Sequence, residues 1–171
     1  PSTFDDVAAG IDALADVEDL DLGTVITLGH SAGGHLAVWA AGRPGLVGTA
    51  WANPAVLVTA AVSQAGGLDL AGAAAVGLGG GAVQALMGGE PDARYPSADP
   101  TAQLPLGVPV RCIHGSGDRI VPVSQSADYV RLATAAGADA TLTEVDGDHF
   151  VVIDAESEAW GATLELLDWL V

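Results

Sequence analysis

Three residues of this chain are of types that can share one reaction: Ser31, Asp118 and His149. A serine hydroxyl attacks a carbonyl carbon only when a base takes its proton. A histidine serves as that base when a carboxylate orients its ring and balances the positive charge it gains. Ser31 sits in Gly29-His30-Ser31-Ala32-Gly33, a Gly-x-Ser-x-Gly sequence. Residues 24–28 ahead of it (Thr-Val-Ile-Thr-Leu) are β-branched and apolar, as in a buried strand, and residues 35–41 behind it read as a helix stopped by Gly42 and Pro44. Strand, tight turn and helix together push a serine clear of the sheet. The turn places Gly29 and Gly33 where strand and helix nearly touch, so that a Cβ at either would clash. It also aims the Ala32 N–H at the space above Ser31, where an oxyanion would be held.

Asp118 and His149 stand where the partners of such a serine must stand, in the chain order serine, acid, histidine. Residues 108–113 form an apolar run that ends in His114-Gly115-Ser116-Gly117-Asp118-Arg119-Ile120-Val121-Pro122. Residues 141–145 form another, which ends in Asp146-Gly147-Asp148-His149-Phe150. Each run reads as a strand that delivers one residue at its carboxyl end. Asp148 is the competing acid, but as the neighbour of His149 it points away from the ring. His30 is expected to pack under the elbow, His35 to make a structural hydrogen bond, and His114 to be buried and paired.

These three segments together resemble the α/β-hydrolase superfamily, nearest to small bacterial serine esterases and kynurenine-formamidase-like hydrolases. The resemblance implies an α/β fold with a doubly wound, mainly parallel sheet and a catalytic triad of Ser31, Asp118 and His149. It implies carboxylesterase or arylformamidase activity on a small ester or amide. It also places four strands and a second oxyanion donor ahead of the elbow, where this chain has only a helix. The reading is therefore of the C-terminal part of the fold, incomplete at the N-terminus. A chain of that kind leaves an edge of the serine strand open, and a homo-oligomer through that edge is expected. The alternative function is a catalytically impaired half-domain that binds a partner or self-associates.

Half of the 171 residues are apolar, enough for one domain with a core. The formal charge is −17, from 22 acidic residues against five arginines and no lysine, which excludes nucleic acid and anionic membrane surfaces as partners. The single cysteine, Cys112, forms no internal disulfide and falls in a buried strand. No two histidines share a metal-ligand spacing, so neither metal nor cofactor is expected. Gly77-Leu78-Gly79-Gly80-Gly81-Ala82 fits a loose dinucleotide pattern but follows no strand. No signal peptide is visible, and a cytoplasmic location is expected.

Residues 70–89 carry no charge, yet seven of the twenty are glycine and six alanine, so a membrane span is discounted. Residues 68–89 read instead as a small cap over the site, within a single domain spanning 1–171. Leu68, Leu86, Met87 and Phe150 are the expected pocket walls. Along the rest of the chain, Phe4, Val7, Ala8, Ile11, Leu14 and Ala15 share one face of a first helix. Residues 55–63 read as a strand, and Pro122 opens a helix stopped by Gly137. Residues 157–171 close the chain as a helix with Trp160, Leu164, Leu167 and Val171 on its inner stripe.

Overall fold

The computed structural model describes residues 2–171. Four parallel strands lie side by side in chain order: β1 (Ile26–His30), β2 (Ala60–Gln64), β3 (Val110–Gly115) and β4 (Ala140–Val145). The α-helices among the described residues are α1 (Ser2–Asp12), α2 (Ala32–Gly42), α3 (Leu70–Ala75), α4 (Ala82–Met87), α5 (Ser124–Ala135) and α6 (Glu158–Leu170). Parallel strands need such crossovers, because a tight hairpin can join only antiparallel neighbours.

Side chains alternate across the sheet and build two cores. Val110 and Cys112 of β3 enter the larger core with Phe4, Trp39 and Tyr129, under α1, α2 and α5. Ile113 faces the other way, into a smaller core with Val152 and Ala159 at α6. Phe4 and Trp39 pack with ring centroids 4.7 Å apart, and Trp51 closes on Trp39 at 5.5 Å. At the end of α1, Asp12 takes two hydrogen bonds from the buried Arg43 guanidinium, at 3.1 and 2.6 Å, and two more from the N–H groups of Ala55 and Val56. These bonds fix the approach to β2.

Several boundaries differ from the sequence reading. β1 starts two residues later than expected and runs on to His30. Among the described residues it pairs only with β2, and Leu28 is 39% exposed, so the strand is half-buried rather than interior. β2 is confined to Ala60–Gln64, where every residue is buried; the expected start at residue 55 lies in irregular chain held by Asp12. The inner stripe of α6 is Ala159, Ala162, Thr163 and Leu166, not Trp160, Leu164, Leu167 and Val171. Small residues let this helix close on Ile113 and Val152, and the stripe rotates by one position to present them. Leu164 and Val171 turn outward, and Trp169 lies over the Arg111 guanidinium at 4.5 Å.

Candidate active site

Ser31 occupies a backbone conformation with φ 56° and ψ −120°, between the end of β1 and the first residue of α2. For a residue with a side chain this conformation costs about 1–3 kcal/mol and persists only where its surroundings enforce it. Here they do. The Ser31 N–H donates to Gln64 O of β2 at 2.8 Å, and Ser31 O accepts the His35 N–H at 3.1 Å. A Cβ on Gly29 would run into the backbone carbonyl of Gly33, so strand and helix touch there as expected. Gly33 itself is a correction: its Cβ position is open space. The second tight contact falls at Gly34, where a Cβ would lie 2.8 Å from Ser63 Oγ and 3.0 Å from Gly29 O. One residue further along α2 faces the sheet, whereas Gly33 turns away from it. Ala32 is the first residue of α2, so its N–H has no acceptor within the helix.

The loops after β3 and β4 are joined by their own backbones. Ser116 N–H donates to Val145 O at 2.8 Å and Gly117 N–H to Gly147 O at 2.9 Å. This brings Asp118 Oδ2 to 2.6 Å from His149 Nδ1, with the carboxylate fully buried and the imidazole nearly so. The ring must donate from Nδ1 to a carboxylate, which leaves Nε2 as the proton acceptor. The other oxygen, Oδ1, takes the N–H groups of Ile120 and Val121 at 2.8 and 2.9 Å. Burial pushes the Asp118 carboxyl up, but the His149 hydrogen bond and these two N–H groups outweigh it and hold the group below its ordinary value. Asp148 does not compete: its Oδ1 caps the Phe150 N–H at 2.9 Å.

His35 and His114 have the structural places read for them, His30 packs on the His149 loop, and His30 and His114 both reach the Asp118–His149 pair. His30 Nε2 donates to His149 O at 2.8 Å, and the two rings lie 4.5 Å apart. The residue before Ser31 thus holds the His149 loop. Burial lowers the His30 pKa from its ordinary value, partly opposed by the hydrogen bond to His149 O. His114 is fully buried; its Nε2 faces Val121 O at 2.9 Å and Asp118 Oδ2 at 3.2 Å, and its Nδ1 faces Ser126 Oγ at 2.8 Å. Two acceptors at Nε2 place the proton there, so His114 is a second donor to the Asp118 carboxylate. His35 is buried under the site with Nε2 on Ala98 O at 2.8 Å. Gln64, which no motif marked, donates to Val152 O and to Thr163 Oγ1, tying the loop beyond His149 to β2 and α6. Cys112 is fully enclosed, and burial pushes its thiol up to about 12, far from a reactive thiolate.

An apolar cavity of about 230 Å³ opens beside Ser31 and Ala32, walled by Leu70, Leu78, Val83 and Leu86 of the cap and by Ile120 and Val121. The glycine- and alanine-rich stretch forms α3 and α4 with a turn between them, on one side of this cavity; no helix among the described residues is long and apolar enough to cross a membrane. Of the four expected walls, Leu86 lines this cavity. Leu68 does not: Leu68 O is held by Thr101 N–H and Oγ1, at 3.1 and 2.8 Å, and its side chain is wholly inside the main core. Met87, one turn beyond Val83, also fills that core. Phe150 lies outside the cavity, half-exposed, with its ring edge on His149 at 5.3 Å. Ile120 and Val121 were missed as walls; their position directly after the acid in the sequence was the available signal. Among the described residues no cluster of histidine, cysteine and carboxylate groups could hold a metal ion.

A serine on a strained strand-to-helix turn, with an acid and a histidine from the loops after β3 and β4, defines the chain's class: an α/β hydrolase with a partial sheet of four strands. Residues 2–171 match the prolyl oligopeptidase family, peptidase family S9, and the chain belongs to that family of serine hydrolases. Solved structures of the same fold include a truncated carbohydrate esterase from gut microbiota, with TM-score 0.78 and 20% identity over 99% of this chain and 68% of that one. Thermogutta terrifontis esterase 2, phosphoramylated by tabun, gives 0.73 and 22% over 96% and 61%. Pyrococcus horikoshii acylaminoacyl peptidase gives 0.74 and 19% over 96% and 26%. At these identities the likeness is one of fold. The chain spans 61% and 26% of the length of the latter two proteins. No curated protein matches the sequence.

Proposed function

We propose that this chain supplies the nucleophile, base and orienting acid of a serine hydrolase for small esters, and for amides of similar size. Ser31 Oγ attacks the carbonyl carbon while His149 Nε2 takes its proton. The Ala32 N–H stabilises the oxyanion, and the helix start behind it adds to the same field. When the tetrahedral intermediate collapses, His149 returns the proton to the leaving group, and the acyl group remains on Ser31. Water activated by His149 then releases the acid. Asp118 keeps the ring in the tautomer that each proton transfer needs.

The single observation that carries this reading is the 2.6 Å Asp118–His149 pair, held against His30 next to a strained Ser31. The apolar cavity beside Ser31 favours a short, uncharged acyl group. It favours a carboxylesterase over an arylformamidase, because a formyl group would leave most of that space empty. The test is a series of p-nitrophenyl esters with formanilide beside them. Acetate and butyrate should give the highest kcat/KM and decanoate the lowest. Decanoate turned over as fast as acetate, or formanilide faster than every ester, would contradict the reading. The second reading, a half-domain that self-associates, is favoured by the unpaired outer edge of β1 and the half-exposed Leu28 on it.

A further inference from the structure

Four of the five arginines are each paired with an aspartate: Arg43 with Asp12, Arg94 with Asp92, Arg111 with Asp139 and Arg131 with Asp128. Arg119 is exposed and has no such partner among the described residues, in a chain whose formal charge is −17. It follows Asp118 directly and lines a cleft of about 280 Å³ with Ile120, Asp148, His149 and Phe150. Ile120 is 48% exposed and Phe150 53%, so two apolar side chains stand open beside the cation. Asp148, the one carboxylate lining the cleft, is engaged on the Phe150 N–H and forms no ion pair with Arg119. The cleft meets the apolar cavity at Ile120, which lines both. Ser31 and Ala32 line the cavity, and His149 lines the cleft. A substrate bridging the two therefore puts its acyl group in the cavity and its leaving group, which His149 must protonate, in the cleft.

We propose that Arg119 is the specificity determinant of a leaving-group subsite, which takes an apolar or aromatic alcohol or amine carrying a carboxylate at its far end. This rests on Ser31 and His149 acting as described above. A guanidinium matches a carboxylate with two parallel N–H donors, and Ile120 and Phe150 cover the apolar body between that carboxylate and the scissile bond. Because the site is exposed, the preference should be about fivefold, the upper end for a surface ion pair, and should shrink with added salt.

The experiment compares kcat/KM for 4-acetoxybenzoate and its neutral analogue 4-acetoxybenzamide, in the unaltered protein, Arg119→Gln and Arg119→Lys. In parallel, Ser31→Ala protein, with and without Arg119→Gln, is titrated calorimetrically with 4-hydroxybenzoate and 4-hydroxybenzamide, the two leaving groups. The expected result is a carboxylate preference of about fivefold in turnover and in binding. Arg119→Gln should erase it, Arg119→Lys should restore part of it, and 1 M salt should weaken it. Equal turnover and equal binding of the two analogues, or a preference that survives Arg119→Gln, overturns the subsite and leaves the hydrolase reading standing. Carboxylate binding that depends on Arg119 without any turnover overturns the hydrolase reading instead. Neither turnover nor binding overturns both.

Discussion

Replacing His35 with glutamine should change how this fold responds to acid. The imidazole is 3% exposed, donates from Nε2 to Ala98 O at 2.8 Å, and meets the Phe4 ring edge-on at 5.8 Å. Burial pushes its pKa down from the ordinary 6.5 to about 4, against a small opposing pull from the Ala98 carbonyl. In the unfolded chain the ring takes up a proton near the ordinary value; in the folded one it resists. His35 therefore contributes stability that is fully present above the unfolded value and is lost as pH falls toward the folded one. Over that window the unfolded state binds the extra proton, and the loss amounts to about 3 kcal/mol. A glutamine amide can donate to the same carbonyl and has no proton to gain. Urea unfolding at intervals from pH 7 to pH 4 should thus show the difference between the unaltered protein and His35→Gln moving by about 3 kcal/mol in favour of glutamine. In thermal melts the same change is about 6–12 °C for a chain of this size. Contributions that the two proteins share cancel in the difference. Two stability profiles that run parallel across the range would refute the reasoning, since His35 would then be free to protonate in the fold.

Gly29→Ala should destabilise the fold by more than about 3 kcal/mol in urea melts, because its Cβ meets backbone that cannot turn aside, whereas Gly33→Ala should be neutral or stabilising by about 0.5–1 kcal/mol. Asp118→Asn should lower ester turnover by about 10³–10⁴ and Asp148→Asn by less than about tenfold. The stability that Asp118 contributes, present above the ordinary carboxylate value, should fade as pH drops through its lowered folded value, so that the two proteins converge in strong acid. The open edge of β1 should make the chain associate: light scattering should show a mass that rises with concentration, and Leu28→Lys, with its charge on that edge, should return it to a monomer.

The Asp118–His149 pair was legible because each member follows a strand end, and strand ends announce themselves through apolar runs that stop in glycine and aspartate. Asp118 could be preferred to Asp148 on that ground, and the 2.6 Å bond to His149 falls on Asp118. The two short helices α3 and α4 were legible from composition, since charge-free chain with so much glycine makes short helices and turns. What the sequence hid were choices decided by packing. Gly33 and Gly34 look alike in a string, and only the rotation of α2 about its axis tells which one meets the sheet. The inner stripe of α6 was misread because Trp160, Leu164 and Leu167 were taken to point inward, whereas Ala159, Ala162, Thr163 and Leu166, one position earlier, are the residues turned toward Ile113 and Val152. Leu68 and Met87 were placed on the pocket by proximity in sequence, but each falls on the side of the cap that faces the core. The anchoring of the His149 loop by His30 and Gln64 joins residues 119 and 88 positions apart, a distance that no local pattern spans.

The central claim is that Ser31, on its strained turn, is the group that takes the acyl chain. The most direct measurement is labelling of the protein with a fluorophosphonate probe, followed by peptide mapping of the modified residue. The account predicts one adduct, on Ser31, that is absent from Ser31→Ala and slowed by at least about a hundredfold in His149→Ala, as loss of a positioned general base requires. An adduct on any other residue, or labelling that survives Ser31→Ala, would contradict it.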